Sequence, residues 1–98
     1  MGGAALEESA IKTVVVGLKP LMNYVVACLT LFNEGEETIL IRARGKHISK
    51  AVEAVTLLRN TFVPKLRVVK AMTKTDKLTR RDGKPALVSV LEIQVSKE

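Results

Sequence analysis

The stretch Thr38-Ile39-Leu40-Ile41-Arg42-Ala43-Arg44-Gly45-Lys46-His47-Ile48-Ser49-Lys50-Ala51-Val52 decides how the chain is read. Up to Arg44 the side chains alternate, with Ile39, Ile41 and Ala43 toward one face and Leu40, Arg42 and Arg44 toward the other. That period of two is the mark of a half-buried strand. Gly45 ends it. From about Lys46 to Phe62 the period becomes helical, and Ile48, Ala51, Val52, Val55, Leu58 and Phe62 form one inward stripe that Pro64 closes. Leu57 falls on the opposite side, near Lys50 and Glu53, where an exposed leucine marks a subunit contact.

The same strand–glycine–helix unit stands upstream. Lys12 to Val16 ends in three β-branched residues, which favour a buried strand, and Gly17 stops it. Pro20 suits the first turn of a helix, where its missing N–H costs nothing. Leu21 to Phe32 is apolar at nearly every position, so only the narrow line Asn23, Ala27, Thr30 and Glu34 is expected to meet water before Gly35 ends the helix. Downstream, Leu66 to about Leu78 reads as a long strand that grows polar and basic. Asp82-Gly83 is a hairpin-turn pair. Ala86 to Lys97 returns with Leu87, Ser89, Leu91, Ile93 and Val95 on one face. The order is β-α-β-α-β-β. It predicts an α/β two-layer sandwich, with two helices on one face of a four-stranded mixed sheet and a long basic hairpin between the last two strands. Residues 1–10 read as a flexible tail and residues 11–98 as a single domain.

Ninety-eight residues and 47% hydrophobic content fit one small folded domain that would gain from packing against a second copy. No apolar run approaches the ~20 residues of a membrane-spanning helix. The acidic start, with Glu7 and Glu8, is unlike a signal peptide, so an intracellular protein is expected. Cys28 is the single cysteine, which excludes a disulfide framework and a cysteine metal site. It lies in an apolar helical pattern as a small buried thiol.

The net charge of +6 is concentrated. Lys65, Arg67, Lys70, Lys74, Lys77, Arg80, Arg81 and Lys84 stand against only Asp76 and Asp82. A second group, Arg42, Arg44, Lys46 and Lys50, contains no acid. Charge gathered in two places points to a polyanion partner. Both helices follow a glycine- and lysine-containing loop, Gly17-Leu18-Lys19-Pro20 and Gly45-Lys46-His47, and right-handed crossovers bring both loops to one edge of the sheet. Neither helix start has an obvious Asp, Ser or Thr cap to occupy its free N–H groups, and such starts attract anions. The outer hairpin, Lys74 to Lys84, holds few large apolar residues besides Leu78 and is expected to project as an arm. With Tyr24, Phe32 and Phe62 the only aromatics, stacking cannot dominate. Recognition is expected to rest on phosphate contacts, with little sequence reading and a strong salt dependence.

Enzyme chemistry finds no support. His47 has no neighbouring Cys or carboxylate, Glu36-Glu37 are adjacent turn residues, and no glycine pattern forms a nucleotide loop. No cofactor and no metal are expected.

Three motifs carry a resemblance: Gly17-Leu-Lys-Pro-Leu-Met-Asn-Tyr-Val25, Gly45-Lys-His-Ile-Ser-Lys-Ala-Val52 and Arg59-Asn-Thr-Phe-Val-Pro64. At these separations, within the span Lys12 to Lys97, the chain resembles the archaeal chromatin protein family Alba. The resemblance implies the fold of the C-terminal domain of translation initiation factor three, in a homodimer or in a heterodimer with a paralogue. It implies that Lys19, Asn23, Tyr24, Arg42, Arg44 and Lys46 serve the nucleic-acid surface of the body, and Arg80, Arg81 and Lys84 that of the arm; the charge grouping adds Lys50 to the first set and Lys74 and Lys77 to the second. The resemblance sets Phe62 where dimers meet side by side on DNA, in competition with the core position that the helical period gives Phe62; Leu57, outward by the helical period, is the second candidate for contacts between dimers. Family members often carry two lysines before the first helix, the first an acetylation target. Here Leu18 holds that place, which leaves Lys19 and puts acetylation control in doubt. The leading expectation is an architectural protein of the chromosome that coats and compacts double-stranded DNA and also binds RNA. The alternatives are a dedicated RNA-binding protein, such as a ribonuclease P-type subunit or RNA chaperone, and a plain oligomerisation module whose charge serves solubility.

Overall fold

The computed structural model describes residues 11–98; the expected N-terminal tail lies outside them. Strand β1 (Lys12–Val16), helix α1 (Leu21–Asn33), strand β2 (Thr38–Arg44), helix α2 (Ile48–Leu57), strand β3 (Arg67–Thr79) and strand β4 (Pro85–Ser96) follow one another in the expected order. A single 3₁₀ turn, Gly45–His47, leads into α2, and a wider π turn, Leu58–Phe62, leads out of it.

The sheet order is β1-β2-β4-β3. β1 runs parallel to β2, as a crossover through a helix requires, while β4 pairs antiparallel with both β2 and β3. Register fixes the faces. Ile39, Ile41 and Ala43 lie opposite Val95, Ile93 and Leu91, and these rows face the helices. Between sheet and helices the core closes around Val25, Cys28, Ile39, Ile41, Ala51, Ala54, Leu58 and Val95, all with no exposed surface. Each of the Val, Ile and Leu side chains among them, taken from water, contributes about 1.5–3 kcal/mol. Burial also pushes the Cys28 thiol up to about 12, because an apolar surround disfavours the thiolate.

The end of α1 shows why its sequence stops there. The Gly35 N–H donates to the Phe32 carbonyl and the Glu36 N–H to that of Leu31, both at 3.1 Å, with Gly35 at φ +105°. This pair of bonds with a left-handed glycine is the Schellman arrangement.

The expected faces need correction at several positions. Met22 and Val26 are exposed alongside Asn23 and Thr30, so α1 shows water a broader face than one polar line. Val52 and Phe62, assigned to the inward stripe of the second helix, are 47% and 42% exposed. For Phe62 the cause is the π turn. The Val63 N–H reaches back five residues to the Leu58 carbonyl, and the widened turn carries Phe62 away from the line of Leu58. Leu57, expected outside, is half-buried against the core.

Candidate nucleic-acid interface

The arm follows from the sheet register. β2 pairs with β4 only from Val90 to Ser96, whereas β3 continues to pair with β4 from Ser89 out to Pro85. Beyond the Arg44–Val90 pair the sheet is therefore a bare two-stranded ribbon, where even Leu78 and Leu87 are exposed. Its tip is a three-residue loop rather than a two-residue turn centred on Asp82-Gly83. The Gly83 N–H donates to the Arg80 carbonyl (2.9 Å) and the Arg80 N–H to that of Lys84 (2.8 Å). The Asp82 carboxylate accepts from the Lys84 N–H at 3.0 Å. Gly83, at φ +83°, supplies the left-handed residue that such a loop needs. Asp82 is thus engaged in shaping the turn, and Arg80, Arg81 and Lys84 are left exposed around it.

The body surface stands at the same end of the sheet. Both helices start from the C-terminal ends of β1 and β2, the end from which the arm departs. A cleft of about 450 Å³ opens at this end of the sheet, lined by Val15, Gly17, Arg42, Arg44, His47 and Asp76 among others. Neither helix start has a side-chain cap. Gly45, at φ +54°, lies against the base of the arm: a Cβ there would stand 3.1 Å from Val88 Cγ2. His47 is half-buried in its wall and Lys46 beside it is exposed, while exposed Lys19 and Asn23 line a second cleft with Thr13, Val15 and Tyr24. His47 belongs to this group by geometry. Its position beside Lys46 at a helix start was the only sequence signal for it.

The other predicted residues divide by surroundings. Tyr24 does not present its ring; it is buried, and its hydroxyl accepts the Lys19 N–H at 3.0 Å. Helix geometry puts it beside Val25 and Cys28 on the core side, one position round from exposed Asn23. Lys50 turns inward to the carbonyls of Gly17 and Lys19. Arg42, Arg44 and Lys74 share the open face of the sheet with carboxylates. Glu92 stands 3.4 Å from Arg42 and 3.8 Å from Lys74, and Asp76 stands 3.7 Å from Arg44. Among the described residues, Lys19, Lys46, Lys77, Arg80, Arg81 and Lys84 enter no ion pair. Neither Glu92 nor Asp76 stands out in the sequence as part of a basic surface. Leu57 and Phe62 lie on the α2 side; Leu57 lines a shallow groove with Leu21, Val52 and Thr56.

Among the described residues no cluster of His, Cys, Asp and Glu is placed to hold a metal, and no helix is long and apolar enough to cross a membrane.

Residues 12–76 match the family described as Alba. The chain belongs to the Alba family. It is 39% identical over 80 residues to the DNA/RNA-binding protein Alba of Methanocella arvoryzae, a match covering 82% of this chain and 83% of that one. It is 41% identical over 86 residues to DNA/RNA-binding protein Alba 1 of Archaeoglobus fulgidus, covering 88% and 96%. Alba from Thermoplasma volcanium superposes with a TM-score of 0.82 at 40% identity, over 87% of this chain and 99% of that one. ALBA1 from Trypanosoma brucei does so at 0.70 and 26% identity, over 87% and 68%. The expected fold, two helices on a four-stranded mixed sheet, is that of these Alba structures.

Proposed function

We propose that this chain is an architectural protein that binds double-stranded DNA through its backbone, coats and compacts it with little sequence preference, and also binds RNA. One observation carries the reading: both uncapped helix starts and the projecting arm lie at one end of the sheet, where cations outnumber acids. Free N–H groups and lysines at the helix starts suit phosphate oxygens. An arm carrying Arg80, Arg81 and Lys84 extends that surface along a duplex. With Tyr24 buried, no aromatic ring serves the basic end, which favours backbone over base contacts. The relatives named as DNA/RNA-binding proteins support both ligands and give no reason to expect catalysis.

Two copies form the working unit in this reading. An open apolar groove of about 310 Å³ lies between α2 and β3, lined by Val52, Val55, Val68, Ala71, Leu91 and Ile93. Pairing this groove across a two-fold axis hides it and spreads two basic ends and two arms over one duplex. A paralogue of the same fold would pair equally well. Exposed Phe62, with Leu57 nearby, is left for contacts between dimers, and Lys19 is the lysine through which acetylation would act. The expected place is the cytoplasm, on the chromosome.

Competition of a fluorescent duplex with unlabelled duplex DNA and structured RNA at physiological salt tests the ranking. Comparable displacement by both is expected. Displacement by RNA alone would replace this reading with the dedicated RNA-binding one, and absence of any binding would leave an oligomerisation module.

A further inference from the structure

Lys50 was grouped with the cations that meet nucleic acid, but its surroundings describe another task. It lies in the first turn of α2, and its ammonium donates to the Gly17 carbonyl at 2.8 Å and to the Lys19 carbonyl at 2.7 Å. Two of its three N–H donors are thereby occupied by the loop before α1, more than thirty residues away in sequence. The ammonium stands 5.8 Å from the centroid of the Tyr24 ring, within the range of a cation–π contact. Tyr24, beneath that ammonium, holds the same loop. Its hydroxyl accepts the Lys19 N–H at 3.0 Å, and a Cβ on Gly17 would stand 3.5 Å from that oxygen. Lys50 and Tyr24 together thus grip residues 17–19.

The grip has a geometric consequence. A trans peptide points its C=O and N–H in opposite directions, and no peptide bond among the described residues is cis. Drawing the Gly17 carbonyl toward Lys50 therefore turns the Leu18 N–H away from it, and Leu18 itself is 80% exposed. Two of the loop's acceptors, the Gly17 and Lys19 carbonyls, face inward to an ammonium; the Leu18 N–H faces away from it beside exposed Lys19, and the same rule turns the Leu18 carbonyl opposite to the Lys19 N–H that Tyr24 holds. Without the ammonium, two carbonyl oxygens would be free to swing to the surface that phosphate approaches.

We propose that Lys50 is a positioning residue: with Tyr24 it fixes the Gly17–Lys19 loop and keeps the Gly17 and Lys19 carbonyls off the surface that the sugar-phosphate backbone approaches, and does not itself contact phosphate. This rests on the nucleic-acid reading above, and the test separates the two. The full chain is compared with Lys50→Met, which keeps the stem and removes the ammonium, and Tyr24→Phe, which keeps the ring and every charge. Without nucleic acid, hydrogen exchange of the Lys19 amide followed by NMR is expected to quicken about ten-fold or more in each variant, as a local opening does when its restraints are removed. With a short duplex, both variants are expected to bind several-fold more weakly at every salt concentration, and the double variant no more weakly than the worse single one. The slope of log affinity against log salt should stay unchanged, because no phosphate contact is lost.

Two results would overturn the proposal. One is a slope that falls by about 0.9 per chain in Lys50→Met, the loss of one phosphate contact, with full binding in Tyr24→Phe. The other is unchanged Lys19 exchange in both variants. If even the parent chain fails to bind duplex or RNA, the functional reading falls, while the exchange data still decide whether Lys50 and Tyr24 hold the loop.

Discussion

Glu92 is the carboxylate through which the charge on the open sheet face can be manipulated. It pairs across the sheet with Arg42 and Met72, so its side chain stands in the middle of that face. It is held 3.4 Å from Arg42 and 3.8 Å from Lys74, and is itself only 17% exposed. The two cations are 42% and 52% exposed, so solvent screens both pairs heavily. Exposed pairs of this kind contribute about 0.2–1 kcal/mol each, which sets their joint worth near 1 kcal/mol. A nucleic acid that recruits Arg42 and Lys74 must displace Glu92 and give up that amount. Glu92→Gln preserves shape and removes the competitor, raising the chain's charge from +6 to +7. Since 1.4 kcal/mol is tenfold, affinity for a short duplex should rise about five-fold at low salt. The gain should shrink as salt shortens the Debye length from ~30 Å at 0.01 M to ~8 Å at 0.15 M. Stability should fall by about 1 kcal/mol, or ~4–8 °C in Tm for a domain this size. Fluorescence anisotropy across a salt series, with a thermal melt beside it, measures both. A folded Glu92→Gln that binds no more tightly than the parent at low salt would refute the reasoning, since the cations would then have no part in binding.

The remaining expectations concern the arm, the first loop, the α2 side and the core. Replacing Arg80, Arg81 and Lys84 together by Ala should weaken binding and compaction without abolishing them, and flatten the salt slope by up to about 2.7 per chain if all three meet phosphate; single-molecule DNA extension reads the compaction. Leu18→Lys should steepen the slope by about 0.9 per chain, read by fluorescence titration. Phe62→Ala should leave binding to a duplex that holds one dimer intact but reduce cooperative filaments on long DNA, seen by electron microscopy. The Cys28 thiol, pushed up to about 12 by burial, should react with a thiol reagent only as the chain unfolds. Its folded value lies above its unfolded one, so its contribution to stability is complete below about pH 9 and is lost as pH rises toward about 12, which chemical denaturation along a pH series would follow.

The strands were the most legible elements. Lys12–Val16 and Thr38–Arg44 have the bounds that alternation and the bracketing glycines give them. The crossover rule placed both helix starts at one end, and the bonds from Lys50 to Gly17 and Lys19 join them there. Exposure on the helices was less legible. Periodicity says which residues share a stripe, but how far the sheet wraps each helix depends on the other layer, so Val52, Met22 and Val26 were misplaced. Phe62 depended on a π turn, which a four-residue spacing does not signal. The ion pairs of Glu92 and Asp76 were hidden because a strand's parity gives its face, whereas partners across the sheet require the order β2-β4-β3. Tyr24 matched a residue the family resemblance implies for contact and Lys50 belonged to a basic group, yet neither a matching residue type nor a cluster of charge reveals that a hydroxyl and an ammonium face inward to hold a loop.

The central claim is that nucleic acid meets one end of the sheet, at Gly17–Lys19, Gly45–His47 and the Arg80–Lys84 tip together. Titrating isotope-labelled protein with a short unlabelled duplex and following backbone amides by NMR tests it directly. The largest shifts are expected at those three segments, with little change at the far end around Glu34–Glu37. Shifts centred on that far end, or confined to the α2 side near Phe62 with the three basic segments silent, would contradict it.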